Sequence, residues 1–262
     1  MKISVLLATY NWPEALRLCL ESLEKQTAKN FEVIIADDGS GSKTKELIEQ
    51  FIKNSNLSIQ HLWQEDLGFR KTLILNKAIG VASGEYLVFL DGDCIVQPDF
   101  IERHRRLAQI GFLVTGSRVL LSESLSKKIL AWPHWNFSAF QSNLITYRLN
   151  GGINKFWPII IKLGNGSWRI YKKFVWRRIK GCNMACWKQD AVKIGGFDET
   201  MTGWGHEDAD FVFRLQLSGI QRKSGAWSTE VLHLFHRISD QSKAEENAKR
   251  VREKIMAKVD SQ

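Results

Sequence analysis

Residues 86–93 have the sequence YLVFLDGD, five apolar residues followed by two aspartates on either side of a glycine. A short, unbroken apolar run is typical of a strand that is buried on both faces of a parallel sheet. Asp91 and Asp93 would repel each other at the end of such a strand unless a cation lay between them. Hard divalent cations take oxygen ligands and often link protein carboxylates to phosphates. The eight residues alone fit a metal site and a solvated, capped turn equally well.

Similar apolar runs recur along the first 116 residues and alternate with helical patterns. We predict strands at 3–8, 31–36, 57–63 and 86–90, and helices that begin at 11 and span 43–53 and 70–82. This alternation predicts an α/β fold in which a mainly parallel central sheet is flanked by helices. Ligands of such sheets bind at the carboxyl ends of the strands. Polar clusters at 9–11, 37–40 and 91–93 follow strands directly, so this edge is the predicted site.

The second half of the chain has a less regular pattern. We predict helices at 98–109, 206–217 and 241–258, and strands at 112–116, 181–187 and 231–236. His233 and His236 are three residues apart in the last strand, so they are expected to point to opposite faces and at most one should reach the site. A histidine added to a carboxylate-bound ion would favour Mn²⁺ over Mg²⁺. A histidine that is merely buried in the strand is an equally good interpretation.

The sequence GWGHED at residues 203–208 places two acids at the start of a predicted helix. Acidic side chains in the first turn stabilise a helix through its dipole by about 0.3–1 kcal/mol each, which would account for Glu207 or Asp208 without a catalytic role. The dipole does not explain Trp204 between two glycines. A tryptophan face stacks well on a sugar ring, and a carboxylate beside it would be placed to take a proton from a hydroxyl nucleophile.

The composition is that of a folded, globular protein. The 262 residues are 44% hydrophobic and include 14 Phe, 10 Trp and 4 Tyr, which excludes a mostly disordered chain. No apolar run reaches the ~18 residues of a membrane-spanning helix, and the first strand leads into residues 9–13 without a signal-peptide cleavage site. We therefore expect a cytoplasmic protein. The four cysteines are expected to be buried, reduced thiols, because Cys182 and Cys186 have no second ligand pair nearby for zinc.

The net charge of +9 is concentrated in one segment. From Ser124 to Lys188 there is no acidic residue, but there are twelve lysines or arginines and six of the ten tryptophans. Basic residues interleaved with tryptophan suit an anionic bilayer surface or single-stranded nucleic acid. A solvated basic face over a tryptophan-rich core would need no partner at all. The catalytic motifs favour a membrane or a lipid-linked partner over nucleic acid.

Together these motifs resemble an inverting glycosyltransferase of family 2, which implies the GT-A fold, the Rossmann-like fold of nucleotide-diphospho-sugar transferases. The sequence at 4–11 and 37–40 is similar to the family's nucleotide-binding region, and residues 83–93 are similar to its metal-binding D-x-D strand. Residues 195–208 are similar to the C-terminal part shared by galactosyltransferases and chondroitin-type polymerases. The resemblance covers nearly the whole chain.

The resemblance implies a role for each motif residue. The donor nucleotide would be bound by Thr9, Asn11, Asp38, Asn76 and Asp91. The cation, Mn²⁺ or Mg²⁺, would be bound by Asp93, Asp91 and His233. The catalytic residues would be Asp208 and Glu207, and the acceptor would be bound by Trp204. His233 is preferred to His236 because it follows Glu230-Val231-Leu232, as the family's metal histidine does. The reaction would be a single displacement in which Asp208, as general base, deprotonates the acceptor hydroxyl and the anomeric configuration of a UDP-sugar is inverted.

The resemblance also implies how a single GT-A domain is divided. Residues 1–116 would bind the nucleotide sugar, 117–180 would be a basic aromatic insertion facing the acceptor or the membrane, 181–240 would bind the acceptor and supply the base, and 241–262 would be a C-terminal helix. The acceptor would be a glycan or lipid-linked glycan of lipopolysaccharide, capsule or another cell-surface polysaccharide. The enzyme would then make peripheral contact with the anionic inner face of the plasma membrane.

Two other functions fit part of the sequence. A sugar nucleotidyltransferase shares the strand–helix alternation and the metal, but it would need a glycine-rich phosphate loop after the first strand, which residues 9–13 do not form. A non-catalytic carbohydrate- or nucleic-acid-binding module would explain the basic, tryptophan-rich segment. It would leave the carboxylates at three strand ends unexplained.

Overall fold

The computed structural model describes residues 1–237 and 240–259, so the predicted ranges 181–240 and 241–262 each contain residues outside the described part. The strands are β1 (Ile3–Thr9), β2 (Phe31–Asp37), β3 (Ile59–Trp63), β4 (Tyr86–Asp91), β5 (Cys94–Val96), β6 (Phe112–Thr115), β7 (Arg118–Leu120), β8 (Ile170–Tyr171), β9 (Asn183–Trp187), β10 (Gln221–Ser224) and β11 (Val231–His233). The helices are α1 (Pro13–Glu24), α2 (Ser42–Asn54), α3 (Lys71–Val81), α4 (Phe100–Leu107), α5 (Glu123–Leu130), α6 (Phe137–Ser142), α7 (Leu144–Leu149), α8 (Trp157–Ile160), α9 (Lys188–Lys193), α10 (Glu207–Leu217) and α11 (Ala244–Val259).

Eight strands form one sheet, in the order β3-β2-β1-β4-β9-β6-β10-β8. The first four are parallel, β6 and β10 run in the same direction as β4, and β9 and β8 are antiparallel to their neighbours. This mainly parallel sheet with flanking helices confirms the predicted α/β fold class. The carboxyl ends of β1, β2 and β4 meet at one edge, where Thr9, Asp38 and Asp91 lie.

The long apolar strands are buried on both faces, as their unbroken hydrophobic runs predict. In β4, Val88 and Leu90 pack with side chains of α1 and α2. The alternate side chains Leu87 and Phe89 pack on the opposite face with α3 and α10. Each fully buried side chain of this kind contributes on the order of 1.5–3 kcal/mol. The end of β4, which carries Asp91, is therefore held rigidly from both sides.

A smaller sheet, in the order β5-β11-β7, begins directly after Asp93. Ile95, Val119 and Leu232, one from each of its strands, share a core with Trp135 and Phe140 of the basic segment. Part of that segment's aromatic content therefore stabilises the fold next to the D-x-D turn. Within residues 1–237 and 240–259, no helix combines the length and the hydrophobicity needed to cross a bilayer.

One prediction about a strand is wrong, and several short strands were not predicted. The last strand ends at His233 rather than His236, because its partner β5 starts at Cys94, the residue opposite His233. The Leu234 N–H still donates to Asp93 O, but the next N–H, that of Phe235, donates to the side-chain oxygen Ser126 Oγ. The polar strand β10 was not predicted at all, since its sequence QRKS has no apolar pattern.

Candidate active site at the carboxyl edge of the sheet

A cavity of about 1010 Å³ opens at the carboxyl edge of the main sheet. Its walls include eight of the ten predicted site residues: Thr9, Asp38, Asp91, Asp93, Trp204, Glu207, Asp208 and His233. The D-x-D turn comes from the first half of the chain, and the two acids come from the start of α10 in the second half. The fold therefore joins motifs that are more than a hundred residues apart in one concave site, the usual form of a ligand-binding site.

Asn76 and Asn11 do not line this cavity. The Asn76 side chain donates to Phe197 O at 2.9 Å and accepts from Phe197 N at 2.7 Å, so its amide is used to hold the loop before α10. The Asn11 side chain accepts from Gly41 N at 2.9 Å and joins the end of β1 to the start of α2. Both amides are thus engaged by backbone groups beside the cavity, and their predicted contacts with the nucleotide stay predictions.

Asp93, His233 and His236 bring three metal-ligand atoms within 4.8 Å of one another. Asp93 Oδ2 lies 3.1 Å from His236 Nε2 and 3.6 Å from His233 Nε2. The expectation that only one histidine reaches the site is wrong, because β11 ends at His233 and the following residues no longer alternate between faces. One carboxylate oxygen and two imidazole nitrogens fit a divalent transition metal.

The electrostatics of this group also fit a cation. Burial disfavours the charged form of Asp93, but the hydrogen bond from His236 and the charge of both histidines lower its pKa. The hydrogen bond to Asp93 raises the pKa of His236 to about 9, against the effect of burial. A bound cation would replace the proton that His236 otherwise carries beside this carboxylate.

Asp91 is not part of that group, because it is paired with a lysine that the sequence analysis missed. Lys71, the first residue of α3, places its Nζ 2.5 Å from Asp91 Oδ1. Burial alone would lower the pKa of Lys71, but the negative charges of Asp91 and Glu207 raise it above its ordinary value. The ammonium is therefore kept charged, in the cavity wall, between one acid from each half of the chain.

Asp38 lies at the end of the cavity formed by β1 and β2. Its carboxylate accepts hydrogen bonds from Gln64 Nε2 at 2.6 Å and from Arg70 N at 2.8 Å, and its backbone N–H donates to Thr9 O. Burial raises the pKa of Asp38, although these hydrogen bonds oppose the effect. The carboxylate is thus fixed in one orientation at the predicted nucleotide end of the site.

The neighbouring acids Glu207 and Asp208 have different environments. Asp208 accepts hydrogen bonds from Gly181 N at 2.8 Å and from Ala209 N at 2.7 Å, which hold its carboxylate in place. Glu207 Oε2 is buried without a hydrogen-bond partner. Burial, and then the charge of Asp208, raise the pKa of Glu207 to about 7, while Lys71 opposes the shift.

Trp204 is held at the cavity by a loop that needs its two glycines. Gly203 and Gly205 have φ angles of +76° and +114°, a region that residues with a Cβ adopt at a cost. The Gly203 N–H donates to Phe69 O, and Asn247 of α11 donates to Gly205 O. The indole is 36% exposed, so one part of it is free to contact a ligand.

Several cations line the same cavity: Lys71, Arg118, Arg177, Arg178 and Lys180. Three of them belong to the basic segment, so part of its charge faces the site. Arg118 Nη1 lies 3.3 Å from His233 Nε2, next to the carboxylate–histidine group. The sequence analysis identified the positive charge of the segment but not which of its side chains face the cavity, because loop conformation decides this.

Comparison with known proteins identifies the family of the chain. Residues 4–178 match the family described as Glycosyl transferase family 2. The chain belongs to that family. Residues 164–237 also match the N-terminal domain of galactosyltransferase, and this second part contains Glu207, Asp208, His233 and His236. The family predicted from the motifs is confirmed.

Relatives of this family 2 chain are longer proteins. Validoxylamine A glucosyltransferase of Streptomyces hygroscopicus subsp. jinggangensis is 25% identical over 256 residues, which cover 88% of the chain and 56% of the relative. Chondroitin synthase of Escherichia coli is 27% identical over 232 residues, which cover 85% of the chain and 33% of the relative. The chain therefore spans about half the length of the first and a third of the second.

Solved structures confirm the GT-A fold. GalNAc-T7 with UDP, GalNAc and Mn²⁺ matches over 97% of the chain and 48% of that protein, with a TM-score of 0.67 and 15% identity. The mannosyltransferase PcManGT of Pyrobaculum calidifontis, in complex with GDP-Man and Mn²⁺, matches over 90% of the chain and 57% of that protein, with a TM-score of 0.60 and 16% identity.

Proposed function

We propose that this chain is a metal-dependent, inverting glycosyltransferase that moves a sugar from a UDP-sugar to a glycan acceptor. The observation that carries the proposal is one cavity that holds both the group Asp93–His233–His236 and the acid pair Glu207–Asp208. Two structural neighbours contain a nucleotide or nucleotide sugar together with Mn²⁺, which supports the nucleotide and the metal. Uridine is the nucleoside that the family resemblance implies.

In this proposal Asp93, His233 and His236 hold Mn²⁺ or Mg²⁺. When bound, the cation neutralises negative charge on the diphosphate leaving group. Lys71, which is paired with Asp91, and Arg118, which lies beside His233, line the cavity and add positive charge for that diphosphate. Thr9 and Asp38 hold the nucleoside at the other end, and Asp91 contacts the ribose.

Asp208 is the proposed general base. The Gly181 N–H fixes one oxygen of its carboxylate, so the group is oriented before substrate binds. Asp208 accepts the proton of the acceptor hydroxyl as the oxygen attacks the anomeric carbon, and attack on the face opposite the diphosphate inverts the configuration. A positioned base of this kind contributes about 10²–10⁴-fold to the rate. Trp204 gives the acceptor sugar a flat surface to stack on.

The proposal is tested by UDP release from a panel of UDP-sugars with Mn²⁺, with and without glycan acceptors. We expect slow hydrolysis with one donor, lost in Asp93→Ala and kept in the control Asp99→Ala, whose carboxylate pairs with Arg103 outside the cavity. Asp208→Asn should keep donor binding by calorimetry and lose transfer. No release with any donor, combined with glycan binding, would favour the non-catalytic carbohydrate-binding module instead.

We also propose that the acceptor is a lipid-linked glycan of lipopolysaccharide, capsule or another cell-surface polysaccharide, and that the chain works at the inner face of the plasma membrane. The support is the segment from Ser124 to Lys188, which has twelve basic residues and no acidic one. Several large apolar side chains of that segment are exposed: Trp157, Ile160, Ile161, Leu163 and Trp168. Such a surface fits an anionic bilayer.

A further inference from the structure

A second group of potential metal ligands lies directly beside the first. The ligand atoms of Cys94, Cys182 and His233 all lie within 4.8 Å of one another, and all three residues are buried. The spacing of the cysteines in the sequence does not predict this group, because Cys182 comes together with Cys94 and not with Cys186. All four cysteines are free thiols, as predicted.

The sheet register explains why these residues meet. Cys94 begins β5 and is the direct partner of His233 across the antiparallel β5–β11 pair. Cys182 comes immediately before β9, whose first residue Asn183 is opposite Leu90 of β4. Three segments that are distant in sequence therefore end at the same point behind the D-x-D turn. Cys182 also lines the cavity, which gives a metal ion a route to the thiols from solvent.

The two groups have different chemical preferences. A carboxylate with two imidazoles accepts Mn²⁺ readily, whereas two thiolates with one imidazole select thiophilic ions such as Zn²⁺. Three protein ligands leave one position open towards the cavity, which is a coordination that Zn²⁺ commonly adopts. Binding converts both thiols to thiolates and releases their protons to solvent.

We propose that Cys94, Cys182 and His233 form a second metal site that binds Zn²⁺. The imidazole of His233 belongs to both groups, so Zn²⁺ at the thiols draws this ligand away from Asp93 and weakens the binding of Mn²⁺ there. The existence of the thiol site follows from the geometry alone. Only the competition with Mn²⁺ rests on the proposed function.

Co²⁺ is a suitable probe because it replaces Zn²⁺ and gives a near-ultraviolet charge-transfer band only when thiolates bind it. Titration of the reduced protein with Co²⁺ should produce this band in the wild type. It should also produce the band in the control Cys186→Ser, which changes a buried cysteine of β9 that is outside the proposed group. The band should be absent from Cys182→Ser. In the wild type, added Zn²⁺ should displace Co²⁺ and abolish the band. Thermal unfolding confirms that each variant is folded, and Cys182→Ala gives the same test if the serine variant is not.

His236→Ala separates this inference from the proposed function. It removes a ligand of the first group only, so the thiolate band should persist while Mn²⁺-dependent binding of UDP is lost. His233→Ala should lose both. Absence of the band from the reduced wild type, or its persistence in a folded Cys182 variant, would overturn the proposed thiol site whatever the enzyme assays show.

Discussion

At the scale of single residues, the clearest contrast is between Asp208 and its neighbour Glu207. Asp208 has both carboxylate oxygens fixed by backbone N–H groups, while Glu207 keeps a buried oxygen without a partner. We expect Asp208→Asn to lower the rate of transfer by about 10²–10⁴-fold, because the amide cannot take a proton, and to leave calorimetric donor binding unchanged. Asp190→Asn, in α9 and outside the cavity, is the matched control. Normal transfer by Asp208→Asn would reject its role as base.

The raised pKa of Glu207 predicts a pH dependence. Below about pH 7 Glu207 is protonated and neutral, and above it the carboxylate is ionised beside Asp208. The added negative charge next to Asp208 favours removal of a proton from the acceptor hydroxyl, so kcat/KM for transfer should rise with pH through about 7. In Glu207→Gln that rise should be absent, because the glutamine side chain stays neutral throughout this pH range. Identical pH profiles of kcat/KM for the wild type and Glu207→Gln would contradict the effect of Glu207 on transfer. Loss of transfer in Glu207→Gln together with normal transfer in Asp208→Asn would make Glu207 the general base instead of Asp208.

The sequence analysis identified candidate residues that belong to recognisable motifs. It missed residues that only the tertiary structure brings to the site. Asp93 and Asp208 were singled out because one follows a predicted strand and the other lies in the first turn of a predicted helix, and the family resemblance implied their roles. Lys71 follows a plain Gly-Phe-Arg stretch, and only the approach of α3 to the end of β4 shows its pairing with Asp91. Strand periodicity predicted that at most one of His233 and His236 reaches the site, and the family resemblance favoured His233, but the strand already ends at His233.

At the scale of elements, long apolar strands were predictable and short polar ones were not. β1, β2 and β4 are buried on both faces, so their sequences are mainly hydrophobic, with Ser4 and Glu32 as polar exceptions inside the strands. β10 instead buries Arg222, whose guanidinium donates to Thr115 Oγ1 and to backbone carbonyls of the basic segment. A charged residue satisfied by distant carbonyls leaves no local pattern in the sequence.

The C-terminal helix α11, predicted at 241–258, is tied to the catalytic region by Lys254. Its Nζ lies 2.8 Å from Asp198 and 2.6 Å from the fully buried Asp210 of α10. We expect Lys254→Met to lower the free energy of unfolding at pH 7 by about 1 kcal/mol, a value kept low because Lys254 is partly exposed. Urea unfolding measures this effect. Lys249→Met, which alters a surface pair on the same helix, should change stability little.

The same ion pair has a predictable pH range. Burial disfavours the charged form of Asp198, but hydrogen bonds from Lys254 and Thr200 lower its pKa to about 2. A lowered carboxyl pKa contributes stability above the ordinary value near 4 that is lost as the pH falls towards 2. The difference between wild type and Lys254→Met should therefore shrink on acidification. A difference that stays constant from pH 7 to the acid end would show that Lys254 acts through packing alone.

At the scale of the whole molecule, the exposed apolar part of the basic segment lies on the same edge of the sheet as the cavity. Arg169 donates to the carbonyls of Ser224 and Ala226, and Leu163 N–H donates to Trp227 O. These contacts fix the segment to the loop that follows β10. Because β10 runs in the same direction as β4, that loop is at the carboxyl edge, where the D-x-D turn also lies. If this edge of the protein binds a membrane, lipid-linked acceptors in that membrane would lie opposite the cavity.

This arrangement predicts that vesicle binding depends on anionic lipid and on the segment's side chains. Co-sedimentation with phosphatidylglycerol vesicles should exceed that with phosphatidylcholine and should fall in Trp157→Ser/Trp168→Ser, which removes apolar contacts at headgroup depth. Lys172→Gln/Lys173→Gln should weaken binding roughly fivefold for each charge, since each contributes about 1 kcal/mol. Ile110→Ser is the control, because Ile110 is 72% exposed but lies outside the segment. Equally weak binding to both kinds of vesicle would contradict the proposed membrane contact. The charge of the segment would then serve the cavity and the solvated surface, and the acceptor would reach the enzyme without a bilayer contact.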